Sequence, residues 1–436
     1  MNARATARRR APMVLAMAAV GALVLAGCSD SSDGSSGSGK SSSFEYLSLA
    51  ENTAIKDTLT ALGKDSCADE EKQAPLKVST QPQASYDQQI QLLAGQGALS
   101  SIFSGGNSPQ VVEEMQKAGQ LVEVGDELDK LGKADDILPA AKSTIESIYD
   151  GKDYVLPTEF NIEGIWYNKS IFADNGIEVP TTWDALIAAA DKLKSADVVP
   201  FAAAGKDGWP VTRLVGNYIF RTVGPDAMQK VADGDAKLTD PEYVAGAQAI
   251  ADLGDEGDFG KSVGSIDYTT AMNEFLSGKA GMYYMGSWAL ANFNDPAQAK
   301  IGADNIGFLP FPDVAGGAGS SSQLAANVGT PLAMSKQKFD DGARGWLGCI
   351  ADNYGAQSLK DQGVLTGFKV NGDVGDLPPL TSLVQEQAAN TDQTVLWFEA
   401  LFNPKATTTS QTNAQRLVTG DMSPEDFMAS VQGDLG

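Results

Sequence analysis

Short apolar runs alternate with stretches of helical period along most of the chain, the pattern of an α/β protein. Residues 44–49 read as a first strand, and 53–62 as a helix with Ile55, Thr58, Leu59 and Leu62 on one face. Strand and helix recur at 76–79 and 86–94. A third strand, 98–103, runs into Ser104-Gly105-Gly106-Asn107. Ser108 then caps a helix that starts at Pro109 and stops at Gly119. In open α/β sheets, ligands sit outside the carboxyl ends of the strands. That rule makes Glu51, Asn52 and 104–107 candidate binding positions, with Asn107 equally readable as a turn residue.

Residues 154–168 form an extended run of period two. Glu159, Asn161 and Glu163 share one face, while Phe160 and Ile162 take the other. Trp166 falls opposite Glu163 and reads as core. The stretch 181–195 is an amphipathic helix with Trp183, Leu186, Ile187, Ala190 and Leu193 in its apolar stripe. A strand at 199–203 leads into Gly205-Lys206-Asp207-Gly208-Trp209-Pro210. Another at 280–285 leads into Gly286-Ser287-Trp288, which opens the next helix. An extended segment, 306–311, precedes a Gly/Ser loop at 316–322 that reads as mobile. The helix 339–354 turns Phe339, Ala343, Trp346, Leu347 and Ile350 inward. No internal repeat is visible.

The start of the chain follows other rules. Arg4 and Arg8 to Arg10 precede an apolar run of small residues, 11–26, that ends in Leu25-Ala26-Gly27-Cys28. This reads as a signal segment, 1–27, to be set aside from the fold. Its closing tetrapeptide resembles the site where bacterial lipoproteins are cleaved and acylated on the cysteine. Residues 28–43 are almost all Ser, Gly, Asp and Lys and read as a flexible tether. The globular chain then runs from Phe44 to Gly436, a length that suits two domains. Its expected location is extracytoplasmic, at the outer face of the cytoplasmic membrane.

Composition removes several function classes. Setting aside the four signal arginines leaves 28 basic residues against 56 acidic ones, a surface that repels nucleic acid and anionic lipid. The sequence contains no histidine. A Ser-His-Asp triad, a histidine-zinc site and an HExxH motif are therefore impossible. No cofactor or metal site is expected. Besides Cys28 the only cysteines are Cys67 and Cys349, and export favours a disulfide between them over two buried thiols.

Several segments resemble one family, the extracellular solute-binding proteins of bacterial carbohydrate ABC importers, the group that includes maltose-binding protein. The residues that carry the likeness are Gly164-Ile165-Trp166-Tyr167-Asn168-Lys169 with Phe172, Gly176-Ile177 and Val179-Pro180-Thr181-Thr182-Trp183-Asp184. A second block is Phe275-Leu276-Ser277-Gly278-Lys279-Ala280-Gly281-Met282 with Gly286-Ser287-Trp288. A weaker third block is Gly420 with Met422-Ser423-Pro424-Glu425-Asp426. The resemblance implies an α/β, two-lobed periplasmic-binding-protein-like fold, with a hinge of three crossings and a cleft between the lobes. The crossings are placed near 157–158, 310–311 and 364–365. Lobe one is then 44–158 with 312–364, and lobe two is 159–310 with 365–436. Both Cys67 and Cys349 fall in lobe one. The implied partners are a mono- or oligosaccharide and the permease subunits of an ABC importer, with the receptor itself a monomer.

A sugar offers flat C–H faces and a rim of hydroxyls, so aromatic platforms and carboxylate or amide side chains are the groups to seek. Trp288 follows a strand, opens a helix and matches a family position where a tryptophan stacks on ligand. Trp209 lies in a loop beside Asp207, and Trp397 lies in a C-terminal region where the family often supplies another aromatic. The polar candidates are Glu51, Asn52, Asn107, Glu159, Asn161, Glu163 and Asp207. The family's acidic ligand residue near the first crossing falls at Asn161, which leaves the ligand's identity open. A glycosidase is the enzyme alternative. At about 3.3 Å per residue, Glu159 and Glu163 lie roughly 13 Å apart along a strand. That is wider than the ~5–9.5 Å that paired glycosidase carboxylates need. The other alternative keeps the fold and binds a cationic molecule such as a polyamine.

Overall fold

The computed structural model describes residues 43–50, 52–105, 109–391 and 393–436. The signal segment, the tether through residue 42 with Cys28, and the candidates Glu51 and Asn107 lie outside the described residues. The chain builds two sheets. Strands β1 (Phe44–Leu49), β2 (Leu76–Gln81), β3 (Ile102–Ser104), β4 (Val155–Leu156) and β10 (Leu332–Met334) form the first, in the order β2-β1-β3-β10-β4. Strands β5 (Asn161–Asn168), β6 (Val199–Ala202), β7 (Ala280–Gly286), β8 (Ile306–Leu309), β9 (Leu324–Asn327) and β11 (Thr394–Val395) form the second. Its order is β11-β9-β5-β7-β6, with β8 also pairing with β5.

Burial explains the strand sequences. Every residue of β7 (Ala-Gly-Met-Tyr-Tyr-Met-Gly) is buried, because helices cover both faces of the sheet there. Trp166 of β5 is fully buried as read, with its indole N–H donating to the Met285 carbonyl at 2.9 Å. Trp346 is buried in the other half, stacked on Phe44 at 5.1 Å and donating to the Ala74 carbonyl at 2.8 Å. Its helix, Asp341–Gln362, is tied to the turn after the first helix by the Cys67–Cys349 disulfide, whose Cα atoms are 5.8 Å apart.

The chain passes between the sheets three times, and the passages lie side by side. Segment 157–160 leads from β4 to β5, and 328–331 leads from β9 to β10. The Thr158 hydroxyl donates to the Thr330 carbonyl at 3.0 Å. The Phe160 N–H donates to Leu365 and the Gly367 N–H to Pro157, both at 2.9 Å, so the third passage runs beside the first.

The second passage differs from expectation. The sequence reading put it near 310–311, yet β9 still belongs to the second sheet, paired with β5 and β11. Segment 311–323 stays in that half because Arg221 pins it. The fully buried guanidinium of Arg221 donates to the carbonyls of Phe311 at 3.0 Å and Gln323 at 3.1 Å. The Gly/Ser loop is accordingly anchored. The N–H groups of Ala318 and Gly319 donate to Thr222 and Arg221, and a Cβ at Gly319 would meet the Phe220 carbonyl at 2.0 Å. Only glycine lets the two backbones approach so closely.

Candidate functional site

Three elements of the second half bring aromatic side chains together. The first is the helix Trp209–Thr222, which begins just after Gly208. That glycine has φ +74°, and a Cβ there would lie 1.9 Å from the Gln411 carbonyl oxygen. The tight turn requires glycine, and it sets Trp209 at the helix start. The second is the turn Ser287–Ala289 that follows β7 and carries Trp288. The third is the helix Tyr268–Leu276, whose first residue supplies a tyrosine ring. All three rings are half-buried. Trp209 lies 5.9 Å from Trp288 and 6.0 Å from Tyr268, centroid to centroid. One helical turn beyond Trp209, the Arg213 guanidinium stands 5.8 Å from the Trp209 ring and 5.0 Å from the half-buried Trp397.

Glu163 meets this wall through Arg213. Its carboxylate accepts from Arg213 Nη1 at 3.0 Å, Asn327 Nδ2 at 3.1 Å and the Tyr284 hydroxyl at 3.2 Å. Glu163, a candidate ligand group on the strand face it shares with Asn161, has a side chain only 1% exposed and already bonded to three protein side chains. Arg213 and the side chains of Tyr284 and Asn327, from the strands on either side, cover it, and the charge is admitted to the interior because it is paired and hydrogen-bonded. Tyr284 in turn accepts from Asn217 at 2.7 Å. Burial and the neighbouring Glu163 push the Tyr284 hydroxyl pKa well up.

The other polar candidates form a chain along the crossings. Asn161 is half-buried; its Nδ2 donates to Asn327 Oδ1 at 3.3 Å, and its Oδ1 accepts from Ser287 at 3.2 Å. The Gly329 N–H donates to Asn327 Oδ1 at 3.0 Å, and the next N–H, of Thr330, donates to Glu159 at 3.0 Å. The other Glu159 oxygen accepts from Asn52 Nδ2 at 2.9 Å. Asp207 accepts the Tyr268 N–H at 2.6 Å, which fixes the start of the tyrosine helix. Burial raises the Tyr268 hydroxyl pKa, and its contact with Trp288 lowers it less strongly.

The structure thus gathers Trp209, Trp397 and Glu163 around Arg213, with Trp288 joined through Trp209, Asp207 through Tyr268 and Asn161 through Asn327. Asn52 and Glu159 bond to each other at the first crossing. Cys67 and Cys349 sit apart, in the first half. Sequence reading missed three members. Arg213 was signalled by its i+4 spacing from Trp209. Tyr268 opens a helix behind the capping Asp267, whose side chain accepts the Thr270 N–H. Asn327 had no local signal, because its partners are 164 and 166 residues away in sequence.

Beside Trp397 a groove of about 700 Å³ opens. It is lined by Gln110 and Glu113 of the helix Pro109–Lys117, which lies between β3 and β4 in sequence, and by Gln229, Asp233 and Thr408. The arrangement offers stacking faces, amides, hydroxyls and carboxylates, and so is suited to binding. The one close cluster of metal-type ligands among the described residues is Cys67, Glu70 and Cys349, and its two sulfurs are joined to each other.

Comparison with known proteins gives a consistent picture. The family described as bacterial extracellular solute-binding protein matches residues 55–357. An uncharacterised ABC transporter extracellular-binding protein of Pyrococcus horikoshii is 27% identical over 207 residues, 47% of this chain and 46% of that protein. The multiple sugar-binding protein of Streptococcus mutans is 30% identical over 147 residues, 32% of this chain and 34% of its own length. The chain therefore spans about half or less of these curated relatives. Among solved structures, a chitin oligosaccharide binding protein superposes with a TM-score of 0.71 at 26% identity, covering 91% of this chain and 98% of that one. The bacterial solute receptor AcbH, described with an exclusive preference for β-D-galactopyranose, shares the fold with a TM-score of 0.76 at 21% identity, over 91% and 98% of the two chains.

Proposed function

Because the chain belongs to the bacterial extracellular solute-binding proteins, we propose that it captures a mono- or oligosaccharide between its two halves and delivers it to the permease of an ABC importer. The observation that carries this reading is the half-buried ring cluster of Trp209, Trp288 and Tyr268, bordered by hydrogen-bonded Asp207, Asn161 and the Glu163–Arg213 pair. Indole and phenol faces suit the C–H faces of a pyranose, and amides and carboxylates suit its hydroxyls. Contacts from both halves would favour the closed state over the open one. The proposed lobes are the two sheets with their helices, joined at 157–160, 328–331 and 364–367. The sugar-binding names of several relatives support the reading.

The test is isothermal calorimetry with a panel of mono- to tetrasaccharides. Trp288→Ala should weaken the best ligand about tenfold or more, in line with the ~0.5–1.5 kcal/mol of an aromatic contact plus lost apolar burial. Unchanged affinity in a folded variant would remove Trp288 from the site. The cationic-ligand reading is disfavoured because Glu163 already has its cation in Arg213.

We further propose that Cys28 carries a lipid that holds the receptor at the membrane, each buried methylene contributing about 0.8 kcal/mol. No helix among the described residues is long and apolar enough to cross a membrane. Intact-mass analysis of membrane-extracted protein should show a diacylated Cys28 as the first residue; an unmodified cysteine would refute the anchor.

A further inference from the structure

We infer that the Glu163–Arg213 pair sets the charge of the ligand, restricting the cleft to sugars of no net charge; this rests on the sugar-receptor reading above. Arg213 is part of the aromatic wall, with its guanidinium within 6 Å of the rings of both Trp209 and Trp397. A sugar stacked on either indole would therefore lie close to a positive charge. That charge is balanced by a carboxylate on the side away from solvent: Glu163 is 1% exposed and Arg213 14%. Asn327 and Tyr284 also donate to Glu163, so its oxygens are occupied from three directions.

Two consequences follow for a charged guest. An ammonium approaching the wall meets Arg213 first, while the carboxylate that would welcome it is sealed behind. A uronate finds Arg213 already engaged through Nη1 and would have to compete with Glu163 for it. Arg213 Nε is buried and has no partner among the described residues, so that donor does not face a guest arriving from solvent. A second carboxyl, Glu399, feels the Arg213 charge, yet it accepts from the Thr212 and Ser410 hydroxyls and its burial favours the protonated, neutral form. Around Arg213 the wall thus presents a closed ion pair and flat rings. A neutral sugar needs neither half of the pair to be released, whereas a charged one leaves a buried ion unpaired.

The experiment compares four full-length proteins: wild type, Arg213→Met, Glu163→Gln and the double variant. The probes are glucose, galactose and N,N′-diacetylchitobiose, each set against its amino form (glucosamine, galactosamine, deacetylated chitobiose). Glucuronate and galacturonate serve as the acids. Affinities come from calorimetry, and folding is checked by circular dichroism and melting. Wild type should bind a neutral member and discriminate against its charged forms. Arg213→Met exposes an unbalanced carboxylate and should shift the amino-to-neutral affinity ratio about tenfold toward the amino form. Glu163→Gln frees Arg213 and should shift the acid-to-neutral ratio similarly toward the uronate. The double variant, again balanced, should return both ratios to near the wild-type values.

If Arg213→Met fails to fold, the near-isosteric Glu163→Gln carries the test alone. A wild-type protein that binds no neutral sugar in the panel overturns the receptor reading and the inference with it. Neutral binding with unchanged ratios in folded variants overturns the inference alone.

Discussion

Glu399 shows how one buried group ties stability to pH. It is buried, accepts from Thr212 and Ser410, and burial raises its carboxyl pKa above the usual value while Arg213 pulls the other way. With the folded pKa above the unfolded one, the folded state binds the proton more tightly. The stabilisation is complete below the unfolded pKa and is lost as pH rises through the folded one. Glu399→Gln keeps the shape and removes the titration. It should therefore raise Tm more at pH 8 than at pH 4, as followed by calorimetric melting; a smaller gain at pH 8 would contradict the assignment. Glu163 teaches a different lesson. Its period-two position puts it on the strand face shared with Asn161, but only the contacts of Arg213, Tyr284 and Asn327 make it a paired interior charge.

At the scale of elements, glycines decide where the rings sit. Gly208 turns the chain with φ +74° directly against the backbone of the helix Pro404–Val418. Gly208→Ala adds a strained backbone, about 1–3 kcal/mol, to a clash with the Gln411 carbonyl. It should lower stability by at least that amount in urea unfolding, and displacement of Trp209 should weaken sugar binding in the fraction that folds. The helix read at 181–195 is present as Trp183–Ser195, with the Thr182 side chain accepting the Ala185 N–H. The third strand read at 98–103 shrinks to Ile102–Ser104, since β1 and β10 offer pairing only there. The Gly/Ser loop read as mobile is anchored by Arg221, a residue remote in sequence that composition gave no reason to place beneath it.

For the whole molecule, the disulfide and the cleft are separable. Cys67–Cys349 closes a span of 282 residues within the half built on the first sheet. In the chain-entropy account such a loop contributes up to about 5 kcal/mol. The paired change Cys67→Ser with Cys349→Ser should lower the urea midpoint markedly while leaving sugar affinity, measured at a temperature where the protein is folded, unaltered; a coupled loss of affinity would show that the bridge shapes the cleft. The family, the α/β architecture and the tryptophans of the wall were legible in the sequence alone, whereas Tyr268 was not. Periodicity marks strands and helices locally, and Gly-Ser-Trp or Gly-Trp-Pro after a strand marks a ring at a strand end. The position of the second crossing, the burial of Glu163 and the place of Arg213 between two tryptophans were decided only by the tertiary structure. Each depends on pairing between residues far apart in the chain, and the free energy of burying a charge is set by the partners that surround it and not by its neighbours in sequence.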